Sequence, residues 1–198
     1  MERRYKADIT AGALKLPESR IIADLLLRKI DKVEWQEFIQ KQNLLKAKNP
    51  ATAIRLTRLI RGRLELMDGS LWLMIRDGDS VTATQAVLAA AVKHSALLGD
   101  FMDLVLREQY KIFSPALSNQ LWEDYLVNCR GRDAEMPFWN DPTRQRLRSS
   151  VFQTLAQAGY LEDTKTLRLQ HVYIAPHVIH YLNERREMYV LRCLQVSQ

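Results

Sequence analysis

The densest group of positively charged side chains in this 198-residue chain lies in residues 41–64. This stretch has no Asp or Glu and carries seven Lys and Arg residues, which are Lys41, Lys46, Lys48, Arg55, Arg58, Arg61 and Arg63. Such side chains bind phosphate oxygens and displace counterions from nucleic acids. Because the net charge of the whole chain is only +6, the segregation within this stretch is more informative than the total. The six cations from Lys46 onwards are therefore predicted to bind a nucleic acid.

A second candidate site lies on the helix predicted over residues 141–158. Its inward stripe consists of apolar residues at helical spacing, which are Leu147, Val151, Leu155 and Ala158. The side chains that point outward or lie on the flanks are Arg144, Arg146, Arg148, Ser149 and Gln153. Arg and Gln side chains can reach base edges, and the hydroxyl group of Ser149 or Thr143 can bind a phosphate. This helix is therefore a candidate for contact with DNA.

Both groups of residues also allow a purely structural interpretation. A basic helix commonly has a solvated face whose charges pair with acids from neighbouring helices. The three arginines between residues 144 and 148 could likewise decorate a surface helix that binds no ligand. The sequence alone leaves these alternatives open.

Acidic residues and histidines offer little for catalysis. Asp100 and Asp103 share a helical face near Glu108, which makes two-metal hydrolysis conceivable. No further residue completes such a site, so ion pairs with the basic helices explain these acids better. His177 and His180 lack the HExxH spacing of a zinc site. Since phosphate-binding and nucleophile motifs are also absent from the sequence, we expect no catalytic residue, no metal site and no cofactor.

The elements that position these side chains are predicted to be helices. Pro17, Pro50 and Pro142 each stand at the start of an apolar pattern of helical period, and Gly159 supplies a left-handed stop. The apolar side of the helix after Pro50 is formed by Ile54, Leu56, Leu59, Ile60 and Leu64. The predicted helices cover residues 17–29, 33–42, 51–67, 70–76, 80–95 with Ser80 as N-cap, 97–113, 118–129 and 141–158.

The pattern changes after Gly159. Residues 166–174 alternate and contain β-branched and aromatic side chains, which predicts a strand. A short helix over residues 176–186 is expected to follow, and residues 188–196 could form a closing strand or a last helix, of which the strand is favoured. A helix, a turn and a strand in this order match a winged helix-turn-helix. The predicted fold is mainly α, with a helical bundle over residues 1–130, a polar linker over residues 131–140 and a winged-helix-like α+β domain over residues 141–198.

The composition is that of a globular protein, with 47% hydrophobic and 26% charged residues and only seven Gly and six Pro. Cys129 and Cys193 are too few for a disulfide framework and fit a reducing cytoplasm. Residues 1–6 are polar and do not resemble a secretory signal. The longest apolar runs fall well below the ~18 residues needed to cross a bilayer, so no membrane span is expected and a cytoplasmic location is predicted.

The layout as a whole resembles a known family, the accessory protein A of bacteriophage exclusion (BREX) phage-defence systems. This family was formerly a domain of unknown function and has sometimes been labelled a putative inner-membrane protein, a label that conflicts with the short apolar runs. The resemblance covers nearly the full chain and rests on residues 5–12, 17–27, 51–56, 85–91, 98–101 and 155–161, together with Trp35, Asn43 and Trp122.

This resemblance implies a non-enzymatic component of a multi-gene locus that marks host DNA by methylation and blocks phage replication. It implies binding to double-stranded DNA and contact with other defence proteins, the methyltransferase among them. It also implies a helical part similar to an RNA-binding transcription antitermination fold. The resemblance supplies no catalytic motif, so the DNA-contact residues named above rest only on charge and helical geometry.

Two other functions stay open at this point. An RNA-binding module would follow from the antitermination likeness and would prefer single-stranded or structured RNA over duplex DNA. A pure assembly subunit would instead dock on other defence proteins through Trp-rich and Leu-rich faces, with its basic face against an acidic partner.

Overall fold

The computed structural model describes residues 4–10 and 12–197. Met1, Glu2 and Arg3 lie outside the described residues. They belong to the polar residues 1–6, from which we predicted that the chain has no secretory signal. Ala11, which belongs to the quoted family pattern, lies outside the described residues too.

The described chain is built mainly from α-helices. Their bounds are α1 (Leu16–Leu27), α2 (Lys32–Gln36), α3 (Pro50–Leu64), α4 (Gly69–Asp77), α5 (Ser80–His94), α6 (Ala96–Asp100), α7 (Arg107–Lys111), α8 (Asn119–Arg132), α9 (Asp141–Gln157), α10 (Pro176–Glu184) and α11 (Met188–Leu194). A π-helical turn over Glu37–Lys41 extends α2, and a second one over Phe101–Leu106 joins α6 to α7. The prediction of a mainly α fold is confirmed.

Local capping explains where most of these helices begin. Asn49 and Asn140 accept hydrogen bonds from the amides of Thr52 and Thr143, each beside a proline in the first turn. The N-cap of α5 is Asp79, which accepts from the amide of Thr82, so the prediction of Ser80 as cap was wrong by one residue. An aspartate carboxylate is an equally good acceptor at this position. The predicted left-handed stop after α9 is confirmed, because Gly159 has a φ of 85°.

The winged-helix prediction for residues 141–198 was wrong, because the described residues contain no strand. Residues 161–169 form only the isolated antiparallel bridges Ala116 to Arg168 and Leu161 to Leu169. Leu167 has a φ of 54°, in the left-handed region, which interrupts the predicted strand near its start.

At residues 172–175, backbone N–H and C=O groups form hydrogen bonds with side chains rather than with a neighbouring strand. The amide of Gln85 on α5 donates to the carbonyl of Tyr173 at 2.8 Å and accepts from the amide of Ala175 at 2.7 Å. The hydroxyl of Ser197 accepts from the amide of Val172. The segment expected to form the closing strand is helix α11, in which Val190, Leu191, Cys193 and Leu194 are buried at helical spacing.

The core surrounds α5, which is buried along most of its length from Thr82 to Val92. Helices α1, α3, α4, α6, α10 and α11 all contact it. Buried residues from α9, α10 and α11 belong to the same hydrophobic cluster as those of the first helices. Gly131 and Arg132, the first residues of the predicted linker, form the last turn of α8. The division into two domains stays a prediction.

Within the described residues, no single helix is long and apolar enough to cross a membrane. The pair Ser80–His94 and Ala96–Lys111 passes that test jointly on length and composition, but its two parts are bent by 107°.

Asp100, which is only 4% exposed, fixes the start of the described chain against α6. Its carboxylate accepts hydrogen bonds from the guanidinium of Arg4 at 2.8 Å, from the hydroxyl of Tyr5 at 2.7 Å and from the hydroxyl of Tyr189 at 2.6 Å. Burial alone would raise the pKa of Asp100, but the hydrogen bonds from Tyr189, Tyr5 and Arg4 outweigh it and lower the pKa below its ordinary value. The ionised carboxylate is therefore the stabilising form.

We expect Asp100→Asn to lower the free energy of unfolding by about 2–4 kcal/mol at pH 7, because hydrogen bonds to a charged acceptor are lost. The folded-state pKa of Asp100 is lowered, so its contribution is present above the unfolded pKa of about 3.9 and is lost as pH falls through the folded value. Urea denaturation at several pH values measures the difference, which should shrink on acidification. Asp124→Asn, on the exposed side of α8, is the control and should change stability by less than about 0.5 kcal/mol. A difference that grows at low pH would contradict this account.

Candidate nucleic-acid interface

Four of the predicted cations form an exposed group, which we call the basic surface: Lys46, Lys48, Arg55 and Arg58. Within residues 4–10 and 12–197, none of these four side chains forms an ion pair or hydrogen bond. The opposite side of α3 is buried through Leu56, Leu59, Ile60 and Leu64. The positive charge on the outer side is therefore not neutralised by an ion pair with any residue that the structure describes.

Cations at the ends of the predicted stretch have partners. Lys41 pairs with Glu37 at 2.9 Å, on the π-helical turn. Arg61 donates to Glu65, and its guanidinium lies 4.7 Å from the centre of the Trp35 ring. Arg61 is thus half-buried and oriented, with part of its charge already compensated.

Arg63 is a correction to the predicted site, because it is 2% exposed and faces the core. Its guanidinium donates to the carbonyls of Ala13 at 2.7 Å and Gly12 at 3.2 Å. Burial lowers the pKa of Arg63 to about 10, and the Asp8 carboxylate acts in the opposite direction. The burial of Arg63 could have been predicted from the spacing. Arg63 follows Ile60 by three residues and Leu56 by seven, so it lies on the same buried side of α3.

The second predicted site is divided in a similar way. Arg146, Ser149 and Gln153 are exposed along one side of α9, and Arg146 has no ion pair with any described residue. Arg144 and Arg148 each lie 3.8 Å from the carboxylate of Glu123 on α8. Arg144 also pairs with Asp141 at 2.8 Å. The structural interpretation therefore fits Arg144 and Arg148 better, while the first three residues stay accessible to a ligand.

Polar grooves flank the exposed side of α9. Thr10 and Arg146 line one of them, and Arg148 and Thr164 line the other. Ser149 and Gln153 contribute to both grooves. A ligand lying along α9 would therefore meet hydroxyl, amide and guanidinium groups within two turns.

One segment of the chain connects the two sites. The carbonyls of Gly12 and Ala13 bind Arg63 of α3, and the amide of Leu14 donates to the side chain of Gln157 on α9 at 2.9 Å. The orientations of α3 and α9 are therefore both tied to the segment that precedes α1.

Sequence reasoning missed a groove of about 450 Å³ between α2, its π-helical extension and α3. Lys32, Gln36 and Gln40 line one wall, and Ile54, Arg58 and Arg61 line the other. Ile54, predicted to lie on the apolar side of α3, is 37% exposed here. The signal that could have revealed the first wall is the spacing of Lys32, Gln36 and Gln40 at four-residue intervals.

The acidic residues considered for hydrolysis are engaged in ion pairs or hydrogen bonds. Asp103 binds Arg107 at 3.1 Å and Arg192 at 2.7 Å, and Glu108 pairs with Lys111. His180 lies 3.3 Å from Glu184, one turn along α10. No group of three or more His, Cys, Asp or Glu residues with metal-binding geometry occurs in the part of the chain that the structure describes.

Comparison with known proteins gives a full-length match. The model of the BrxA family matches residues 3–186. The chain belongs to the BrxA family. A "BREX protein BrxA" from Paramagnetospirillum magneticum (strain ATCC 700264 / AMB-1) is 51% identical over 196 residues, which cover 99% of this chain and 98% of the relative. A "BREX protein BrxA" from Escherichia coli O9:H4 (strain HS) is 30% identical over 175 residues, which cover 88% and 82%.

The fold of this BrxA-family chain is also found in a solved structure. The crystal structure of an uncharacterized protein from Magnetospirillum magneticum aligns with a TM-score of 0.92 at 49% sequence identity. The alignment covers 98% of this chain and 100% of that one. The family resemblance predicted from the sequence is confirmed.

We expect Arg63→Met to lower the free energy of unfolding by about 2–4 kcal/mol, because two carbonyls lose their charged donor at a buried position. Arg58→Met, on the exposed side of the same helix, should change stability by less than about 0.5 kcal/mol. Chemical denaturation of both variants measures the contrast. Equal stability of the two variants would show that Arg63 is not a structural residue.

Proposed function

We propose that this protein is a component of a BREX phage-defence system that binds duplex DNA, mainly through phosphates and with weak sequence preference. Membership of the BrxA family and the names of its relatives support the first part. The observation that carries the second part is the basic surface, where Lys46, Lys48, Arg55 and Arg58 are exposed and form no ion pair with any described residue. In this proposed role the protein binds DNA and does not catalyse a reaction.

A phosphate backbone is the ligand that such a surface fits best. Exposed cations on one side of a helix attract a polyanion, and the release of counterions from DNA supplies binding free energy that does not depend on sequence. Arginine adds directional forks that bond two phosphate oxygens at once. Arg55 and Arg58 are three residues apart on α3 and can contact neighbouring phosphates of one strand.

Helix α9 supplies the groups that can read bases. Arg146, Ser149 and Gln153 lie on its accessible side at intervals of three and four residues. Gln and Arg side chains form paired hydrogen bonds with base edges in the major groove, and serine bonds phosphate oxygens. Because most of the proposed contacts go to phosphates, we expect any sequence preference to be modest.

The test is fluorescence anisotropy of the protein with a labelled duplex of ~30 base pairs across a salt series. If about six phosphates are neutralised, the logarithm of affinity should fall with the logarithm of salt at a slope of about −5. Arg55→Glu/Arg58→Glu should reduce the magnitude of that slope by about two, because two phosphate contacts are lost. Arg186→Glu, at an exposed cation after α10 without an ion pair to any described residue, is the control for charge reversal outside the basic surface and should leave the slope unchanged. The single variants Arg55→Glu and Arg58→Glu, which change the net charge by the same amount as this control, should each reduce the magnitude of the slope by about one.

Three results would contradict this function. An affinity that does not depend on salt would exclude a phosphate-based mechanism. Competition by unlabelled single-stranded DNA or RNA that exceeds competition by duplex DNA would favour an RNA-binding module. If no nucleic acid binds at low salt, the result would favour an acidic protein as the partner of the basic surface.

A further inference from the structure

The groove between α2 and α3 is lined by Arg58, which also belongs to the basic surface. Its floor is apolar, with Trp35 at 9% exposure and Ile39 at 4%. The amides of Gln36 and Gln40 line one wall, one helical turn apart. Arg58 and Arg61 line the other wall, and no acidic residue lines the groove.

Arg61 presents a planar surface in this groove. Its guanidinium lies over the Trp35 ring at 4.7 Å, and Glu65 accepts a hydrogen bond from its Nε. These two contacts orient the guanidinium plane before any ligand binds. Bases stack on such arginine planes and on aromatic rings in single-stranded nucleic acids.

From this geometry we infer that the groove binds one unpaired nucleobase of a nucleic acid held on the basic surface. The inference rests on the proposed function, because phosphates at Arg58 would bring a nucleotide to the mouth of the groove. A volume of about 450 Å³ is at the small end of ligand pockets, which suits a single nucleotide. Gln36 and Gln40 each offer a donor and an acceptor to the edge of a base.

The alternative occupant, an amphipathic protein helix, fits the groove less well. A docked helix places apolar anchors along several turns. The groove surface is mostly apolar, but its apolar side chains are Trp35, Ile39 and Ile54, which span about one turn of each helix, and the amides of Gln36 and Gln40 and the guanidinium groups of Arg58 and Arg61 lie among them. The arrangement of an apolar floor, hydrogen-bonding walls and a cationic rim matches the chemistry of a nucleotide.

The experiment compares two labelled duplexes that differ by one unpaired 2-aminopurine in the middle of one strand. Because extrusion of a paired base costs unstacking energy, the duplex with the unpaired base should bind about tenfold tighter. The emission of its 2-aminopurine should change on binding. Ile54→Trp, which fills the groove without a change in charge, should remove both effects and leave the affinity for the fully paired duplex unchanged.

Val33→Trp is the matched control, since Val33 is a 74% exposed residue of α2 outside the groove. It should retain the preference and the change in emission. Equal affinity for the two duplexes, or a preference that persists in Ile54→Trp, would overturn the base-binding inference while the proposed DNA binding stands. Absence of binding to both duplexes at low salt would overturn the proposed function and the inference together.

Discussion

Helix α5 needs an apolar neighbour on nearly every side, and this constraint organises the molecule. Its alanine-rich sequence allows close approach, and the residues from Ala86 to Val92 are fully buried. The helices packed around it have only one apolar side each, so their polar sides must face outward. On α3 that outward side carries Arg55 and Arg58, which is why the charge segregated in the sequence becomes a surface in the structure.

Polar contacts then fix the elements that packing alone would leave free to slide. Asp100 holds Arg4 and Tyr5, and Arg63 holds the carbonyls of Gly12 and Ala13. The segment before α1 is thus bound at both ends by buried groups with directional hydrogen bonds. Leu14, at the end of that segment, bonds Gln157, so α9 is positioned by the same set of contacts.

Local signals made most of the helical fold predictable from the sequence. Proline at a first turn and Gly159 act within a few residues, and these predictions hold. The strand predictions failed for tertiary reasons, because the backbone of residues 172–175 is satisfied by Gln85 and Ser197, which are remote in sequence. Residues 188–196 are so few that their apolar pattern fits both the two-residue period of a strand and the 3.6-residue period of a helix. Only the packing of this segment against α5, α6 and α10 selects the helix.

The sequence predicted that residues 41–64 are rich in positive charge. It did not predict which of these cations are exposed and lack an ion pair with another described residue. Each arginine of residues 41–64 looks alike in the sequence, and its role depends on which acid or carbonyl lies nearby in the fold. Arg61 has Glu65 and Trp35, Arg63 has two carbonyls, and Arg55 and Arg58 have no partner among the described residues. Only the last two can exchange solvent and counterions for phosphate without breaking an existing contact.

The position of these free charges on a helix has a consequence for recognition. Because α3 is anchored on its inner side by Arg63 and the apolar residues around it, Arg55 and Arg58 are presented by a rigid element rather than by a loop. Rigid presentation reduces the conformational entropy lost on binding. Phosphate contacts carry no sequence information, however, so discrimination between nucleic acids has to come from elsewhere. Under the proposed function, the polar side of α9 and the groove beside Arg58 are the two places from which we expect selectivity to come.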